Sequence, residues 1–152
     1  MRPPSILVIV VAVSACARGQ VERPDTPSLY RSPRHVNVVV TRGGRTVHVG
    51  GQGPFDRQGA LVGRGDFPLQ VETAFQNLEA ALAAAGASLR DLVELRTYLV
   101  ADAAVDLQVY REARDRRFAG FPERPVATTV TISGTTLEGM LVLLEGVAVV
   151  PD

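Results

Sequence analysis

Three absences narrow what this chain does. It has no excess charge of either sign: sixteen Lys and Arg balance sixteen Asp and Glu, for a formal net charge of zero. That removes the global positive field on which sequence-independent nucleic-acid binding rests, so no nucleic-acid partner is expected. It has no second cysteine, since Cys16 stands alone, and an internal disulfide is therefore excluded. It also offers no third ligand at metal spacing beside His35 and His48, which are far apart, so neither a metal site nor another cofactor is expected. The apolar run near the start, Ile6 to Val13, falls well short of the roughly 20 residues that cross a bilayer.

What is present is a chain of 152 residues, 46% hydrophobic and 21% charged, which suits one globular domain with a real core. Arg2 followed by the apolar run and then small residues has the layout of a secretory signal. Val13-Ser14-Ala15-Cys16 resembles a bacterial lipobox, in which the cysteine is lipidated and becomes the new N-terminus. The expectation is a signal over residues 1–15, a polar, proline-bearing tether over 16–34, and a folded domain over 35–152. The protein would then be exported to the bacterial periplasm or cell envelope and held to a membrane by a lipid anchor on Cys16.

Within 35–152 the punctuation is regular. Val36–Thr41 and Thr46–Gly50 flank Arg42-Gly43-Gly44-Arg45 and predict a β-hairpin. Asp66 and Pro68 open a helix whose apolar residues Val71, Ala74, Phe75, Leu78 and Leu82 form one stripe, with Glu72, Gln76 and Glu79 facing away and Gly86 ending it. Leu92–Val100 alternates as a strand. Asp102 is expected to cap a second helix running to Phe118, with Arg111, Arg114 and Arg117 on a solvated face. Val126–Ile132 and Met140–Val150 complete the strands. The last is apolar on both faces except at Glu145, and two helices cover only one face of a sheet. The order predicts an α+β fold whose other face packs on another copy of the chain.

Five segments carry a family resemblance over residues 36–150: Val47-His48-Val49-Gly50-Gly51-Gln52, Ala84–Val93, Leu95–Val100, Arg124–Val130 and Leu141–Val149. In that order and spacing they resemble the Rid/YjgF family. The resemblance implies a chorismate-mutase-like subunit, a six-stranded mixed sheet with two helices on one face. It also implies a homotrimer whose small-molecule ligands sit in clefts between subunits, and an activity like that of 2-iminobutanoate/2-iminopropanoate deaminases.

In such enzymes a strand arginine grips the substrate carboxylate by a bidentate pair of hydrogen bonds. A glutamate on the last strand handles the water that attacks the imine carbon and releases ammonia. A serine and a tyrosine help to line the cleft. Matched position by position, the arginine falls on Ala127, the glutamate on Leu143, the serine on Gly50 and the tyrosine near Val36 or Asn37; a position often held by cysteine is Thr129. Alanine cannot bind a carboxylate and leucine cannot move a proton. The resemblance therefore implies a cleft formed by Gly50, Gly51, Gln52, Ala127, Thr128, Thr129 and Leu143 that binds a small metabolite, with deaminase activity absent or reduced. An aliphatic floor of this kind favours an uncharged or apolar ligand. Two alternatives stand beside that expectation. One is a working imine or enamine deaminase with a rearranged site, using Glu145 or Arg124 in the missing roles. The other is a non-catalytic interaction module. Glu145 is expected to be paired structurally with backbone amides or an arginine, and Arg124 to be a solvated loop residue.

Overall fold

The computed structural model describes residues 20–30 and 32–151. Cys16 and the apolar run before it lie outside the described residues. Along the chain the elements are β1 (Gln20–Glu22), β2 (Val40–Arg42), β3 (Arg45–Gln52), α1 (Phe67–Ala84), β4 (Leu92–Val100), α2 (Leu107–Arg117), β5 (Val126–Ile132) and β6 (Val142–Val150).

The first helix starts where its sequence requires. The Asp66 carboxylate accepts the Leu69 amide at 3.0 Å, and Pro68 occupies the first turn, where no intrahelical donor is needed. Its stripe of Val71, Ala74, Phe75, Leu78 and Leu82 is at most 1% exposed. Each larger side chain there contributes roughly 1.5–3 kcal/mol by burial. Gly86, at φ 69°, terminates the helix in the left-handed region.

That stripe packs on a four-stranded sheet of order β3-β6-β4-β5, with β6 antiparallel to both neighbours and β5 parallel to β4. Alternation divides the sheet into two faces. Val47, Val49, Leu95, Thr97, Leu99, Val142, Leu144 and Ala148 are buried under the helices. Register places Arg96 beside Glu145 and Tyr98 beside Leu143 on the opposite face, which no helix covers. The second helix is tied down by a buried hydrogen bond of 2.6 Å between the hydroxyls of Tyr110 and Thr97.

Several expectations need correction. The six strands do not form one sheet: β1 and β2 make a separate antiparallel pair, and among the described residues β3 pairs only with β6. The glycine turn is present, with Gly43 and Gly44 at φ 63° and 76°, but the strand before it does not run along β3. Val36 donates its amide to Pro125 and bridges Val126 at the start of β5. The chain from 36 to 42 must therefore cross the end of the sheet from β5 to β3. The stretch read as a tether contributes β1, and Arg23 and Arg34 form ion pairs with Glu123 and Asp115 at 3.0 and 3.1 Å.

The second helix begins at Leu107, capped by Asp106, whereas the Asp102 carboxylate accepts the Ala104 amide and its carbonyl the Val105 amide in a preceding turn. Its arginines are not all solvated. Arg114 is 7% exposed, and Arg117 reaches Glu72 at 2.6 Å and Glu79 at 3.2 Å, so those glutamates, though partly exposed, pair with the second helix.

Candidate functional site

Ala127, Thr129 and Thr131 project from β5 on the helix side, in register with Leu95, Thr97 and Leu99. They floor a groove of about 550 Å³ between β5, α2 and the N-terminal segment. Tyr110 and Arg111 rise from α2 on one side, and Tyr30 and Arg34 from the N-terminal segment on the other. Its floor is small and β-branched without Leu143, and its walls carry guanidinium and hydroxyl groups.

Leu143 and Glu145 point from β6 to the other face. They line a second hollow with Tyr98, Gly51, Phe55 and Met140. Leu143 rests on the backbone of Gly51, where an added Cβ would lie 2.9 Å from its Cδ2. Gly50 is different: an added Cβ there meets nothing within 4 Å, so the serine position is empty but not closed. The register of β3 slips between Val49 and Gln52, a bulge that turns these glycines out of regular pairing. The Gln52 side chain donates to the Gly50 carbonyl at 3.1 Å. Thr128 is exposed beside Arg96 on this second face.

The sequence-derived cleft is therefore split. Gly51 and Leu143 come together, as do Ala127 and Thr129, but the two groups lie on opposite faces of one sheet.

The two candidate substitutes for the missing groups are already engaged. The Tyr98 hydroxyl donates to Glu145 Oε2 at 3.0 Å, so the partner of Glu145 is a phenol, neither a backbone amide nor an arginine. That hydrogen bond lifts the Tyr98 hydroxyl above its ordinary pKa, because the carboxylate favours a protonated neighbour. Arg96 instead pairs with Glu94 at 2.7 Å. Arg124 is not solvated: it donates to the Phe118 carbonyl at the end of α2 and lies 5.8 Å from the Phe118 ring centre. Among the described residues no cluster of three or more His, Cys, Asp or Glu is placed to hold a metal; His35 borders the α2 groove and His48 the uncovered face.

Sequence reasoning missed three residues that shape these sites. Tyr30, rather than Val36 or Asn37, brings an N-terminal tyrosine to the groove that contains Ala127. Arg111, expected on a solvated face, lines the same groove. Gln70, fully buried, donates to the Gly63 and Gly139 carbonyls and accepts the Leu141 amide, fixing the loop that leads into β6. A polar residue between Leu69 and Val71 on an apolar stripe is the one signal that pointed to it.

A mixed four-stranded sheet backed by two helices, with a glycine bulge and a β5 groove at its margins, defines a class of α+β subunit. The family model described as Endoribonuclease L-PSP matches residues 30–150. The chain belongs to this family, the Rid/YjgF proteins. It is similar to YyfB, a protein of unknown function of the conserved Rid family from Yersinia pestis: identity is 26%, coverage 86% of this chain and 98% of that one, and the TM-score 0.77. RidA from the Antarctic bacterium Psychrobacter sp. PAMC 21119 is 30% identical over 72% of this chain and 84% of its own, with a TM-score of 0.61. Rv2704 of Mycobacterium tuberculosis, a member of the YjgF/YER057c/UK114 family, is 29% identical over 72% and 83%, with a TM-score of 0.58. No curated protein matches the sequence.

Proposed function

We propose that this protein is a homotrimer that binds a small metabolite in clefts between subunits, with the imine-deaminase reaction absent or much reduced. The observation that carries the proposal is the pair Ala127 and Leu143, at the positions where the family resemblance implies an arginine and a glutamate. Neither side chain offers a charge or a proton, and Glu145 and Arg124 are already bonded to Tyr98 and Phe118. Self-association is supported by geometry. Ala127 and Leu143 face opposite sides of their sheet, so a cleft using both needs a second copy to bring one face to the other. The family description names a ribonuclease, and the balanced charge of this chain lends that activity no support.

One observation favours a second reading. The Tyr98–Glu145 pair adjoins Leu143 in the same hollow, which leaves a carboxylate and a phenol near the vacant glutamate position. A single assay separates the two readings. Purified protein is given enamines generated in situ, and ammonia release is followed beside a Glu145→Gln variant. Release no faster than buffer is expected from both proteins. Ammonia release that Glu145→Gln abolishes would establish the rearranged enzyme instead.

A further inference from the structure

On the reading that the α2 groove forms part of the ligand cleft, we propose that it binds a small organic carboxylate, anchored by Arg111. The floor is uncharged, but three arginines line or overhang it: Arg34, Arg111 and Arg114. Two of them are committed. Arg34 and Arg114 share the one carboxylate of Asp115, at 3.1 and 3.3 Å, and Arg114 is largely buried with its guanidinium 5.6 Å from the Tyr110 ring centre. Asp102, the acidic residue among the lining groups, has one oxygen held by the Ala104 amide at 2.7 Å. Glu112, next along the helix, accepts from Gln108 at 2.9 Å. Arg111 has neither a hydrogen bond nor an ion pair among the described residues.

An unpaired guanidinium at the wall of a concave site is a preformed fork for a carboxylate. Three guanidiniums against the carboxylates of Asp102 and Asp115 leave the groove with a single net positive charge, which favours the same ligand. Thr129 and Thr131, on the floor, supply hydroxyls for a polar group elsewhere on the molecule. The small side chain of Ala127 leaves the floor open beneath them. The ligand class thus differs from the one that the aliphatic floor suggests by itself. One free arginine suits a single negative charge better than a phosphate dianion.

Calorimetric titration of the full chain with lactate, propane-1,2-diol and inorganic phosphate tests this, because the diol replaces the carboxylate of lactate by an uncharged alcohol. Lactate should bind measurably tighter than the diol, and Arg111→Gln should weaken lactate on the order of tenfold. Arg111→Lys, which keeps the charge but not the fork, should fall between. Arg111 is exposed and unpaired, so both variants should melt like the parent. Equal binding of lactate and diol, lactate binding indifferent to Arg111→Gln, phosphate binding without lactate binding, or no heat with any of the three would each overturn the assignment. A protein that ignores lactate yet releases no ammonia loses this inference and keeps the reading of the family reaction. Ammonia release ends that reading whatever Arg111 does.

Discussion

Gln70 has none of its surface exposed, although it stands on the apolar side of α1. Its amide closes three backbone groups, the carbonyls of Gly63 and Gly139 and the amide of Leu141, that would otherwise be buried without partners. A buried group left unsatisfied costs about 1–3 kcal/mol. Gln70→Ala, which removes every partner at once, should therefore destabilise the fold by about 3 kcal/mol or more. Chemical denaturation would register this, and an unchanged midpoint would mean that water replaces the amide. The periodicity of α1 was legible because its stripe repeats every three or four residues. The role of Gln70 was not, because its partners are backbone groups 7, 69 and 71 residues away, and residue type does not encode them.

At the scale of elements, the two helices are clasped by charge. Arg117 lies 4.7 Å from the Phe75 ring centre and bonds Glu72 and Glu79, while Arg116 reaches Glu72 at 2.8 Å. The Glu72 carboxyl is held below its ordinary pKa of about 4.5, first by the hydrogen bond from Arg117, with partial burial acting in the opposite direction. A carboxylate depressed in the folded state stabilises it above the unfolded value, and that contribution is lost as pH falls through the folded value. Glu72 is 37% exposed, so solvent screening limits the clasp to about 1 kcal/mol at neutral pH. Glu72→Gln should lower the melting temperature near pH 7, and the gap from the parent should close below about pH 4.5. A gap that persists in acid would assign the loss to packing.

The same scale explains what the sequence left hidden among the elements. Leu92–Val100 alternates clearly, and the strand has the buried and the more exposed face that such alternation implies. Asp102 and Asp106 each resemble a helix cap, and only the hydrogen bonds formed by the folded chain distinguish the turn from the helix start. The glycine turn is a strong hairpin signal locally. It was overridden because Val36 is fastened to Pro125, a contact invisible to any short window. The groove was equally hidden. Arg111 and Ala127 are brought together by the crossover from α2 to β5, so sequence matching found the missing arginine at 127 but not the free one on the helix.

For the whole molecule, the decisive surface is the sheet face that no helix covers. Leu143 and Val147 from β6 are half-buried there, and Val130 on β5, in register with Tyr98, is 40% exposed. Between them run Glu94, Arg96, Tyr98 and Glu145, which pair with one another on the chain's own surface. Pairing of this kind spares an interface the cost of burying lone charges, because each leaves solvent with a partner already in place. Apolar side chains interspersed with satisfied polar groups suit a surface that meets its own copies. Val147 faces Glu94 in register, so Val147→Asp places like charges side by side, and Val130→Glu adds a charge to an exposed edge strand. Light scattering should find three copies for the parent and for Arg111→Gln, and a single copy for the Val130→Glu, Val147→Asp double variant. Circular dichroism of that variant should still show the parent's strand and helix content, because the helix-side core is untouched. A parent that scatters as a monomer would remove the second copy on which a cleft combining Ala127 and Leu143 depends, and each face of the sheet would then have to act alone.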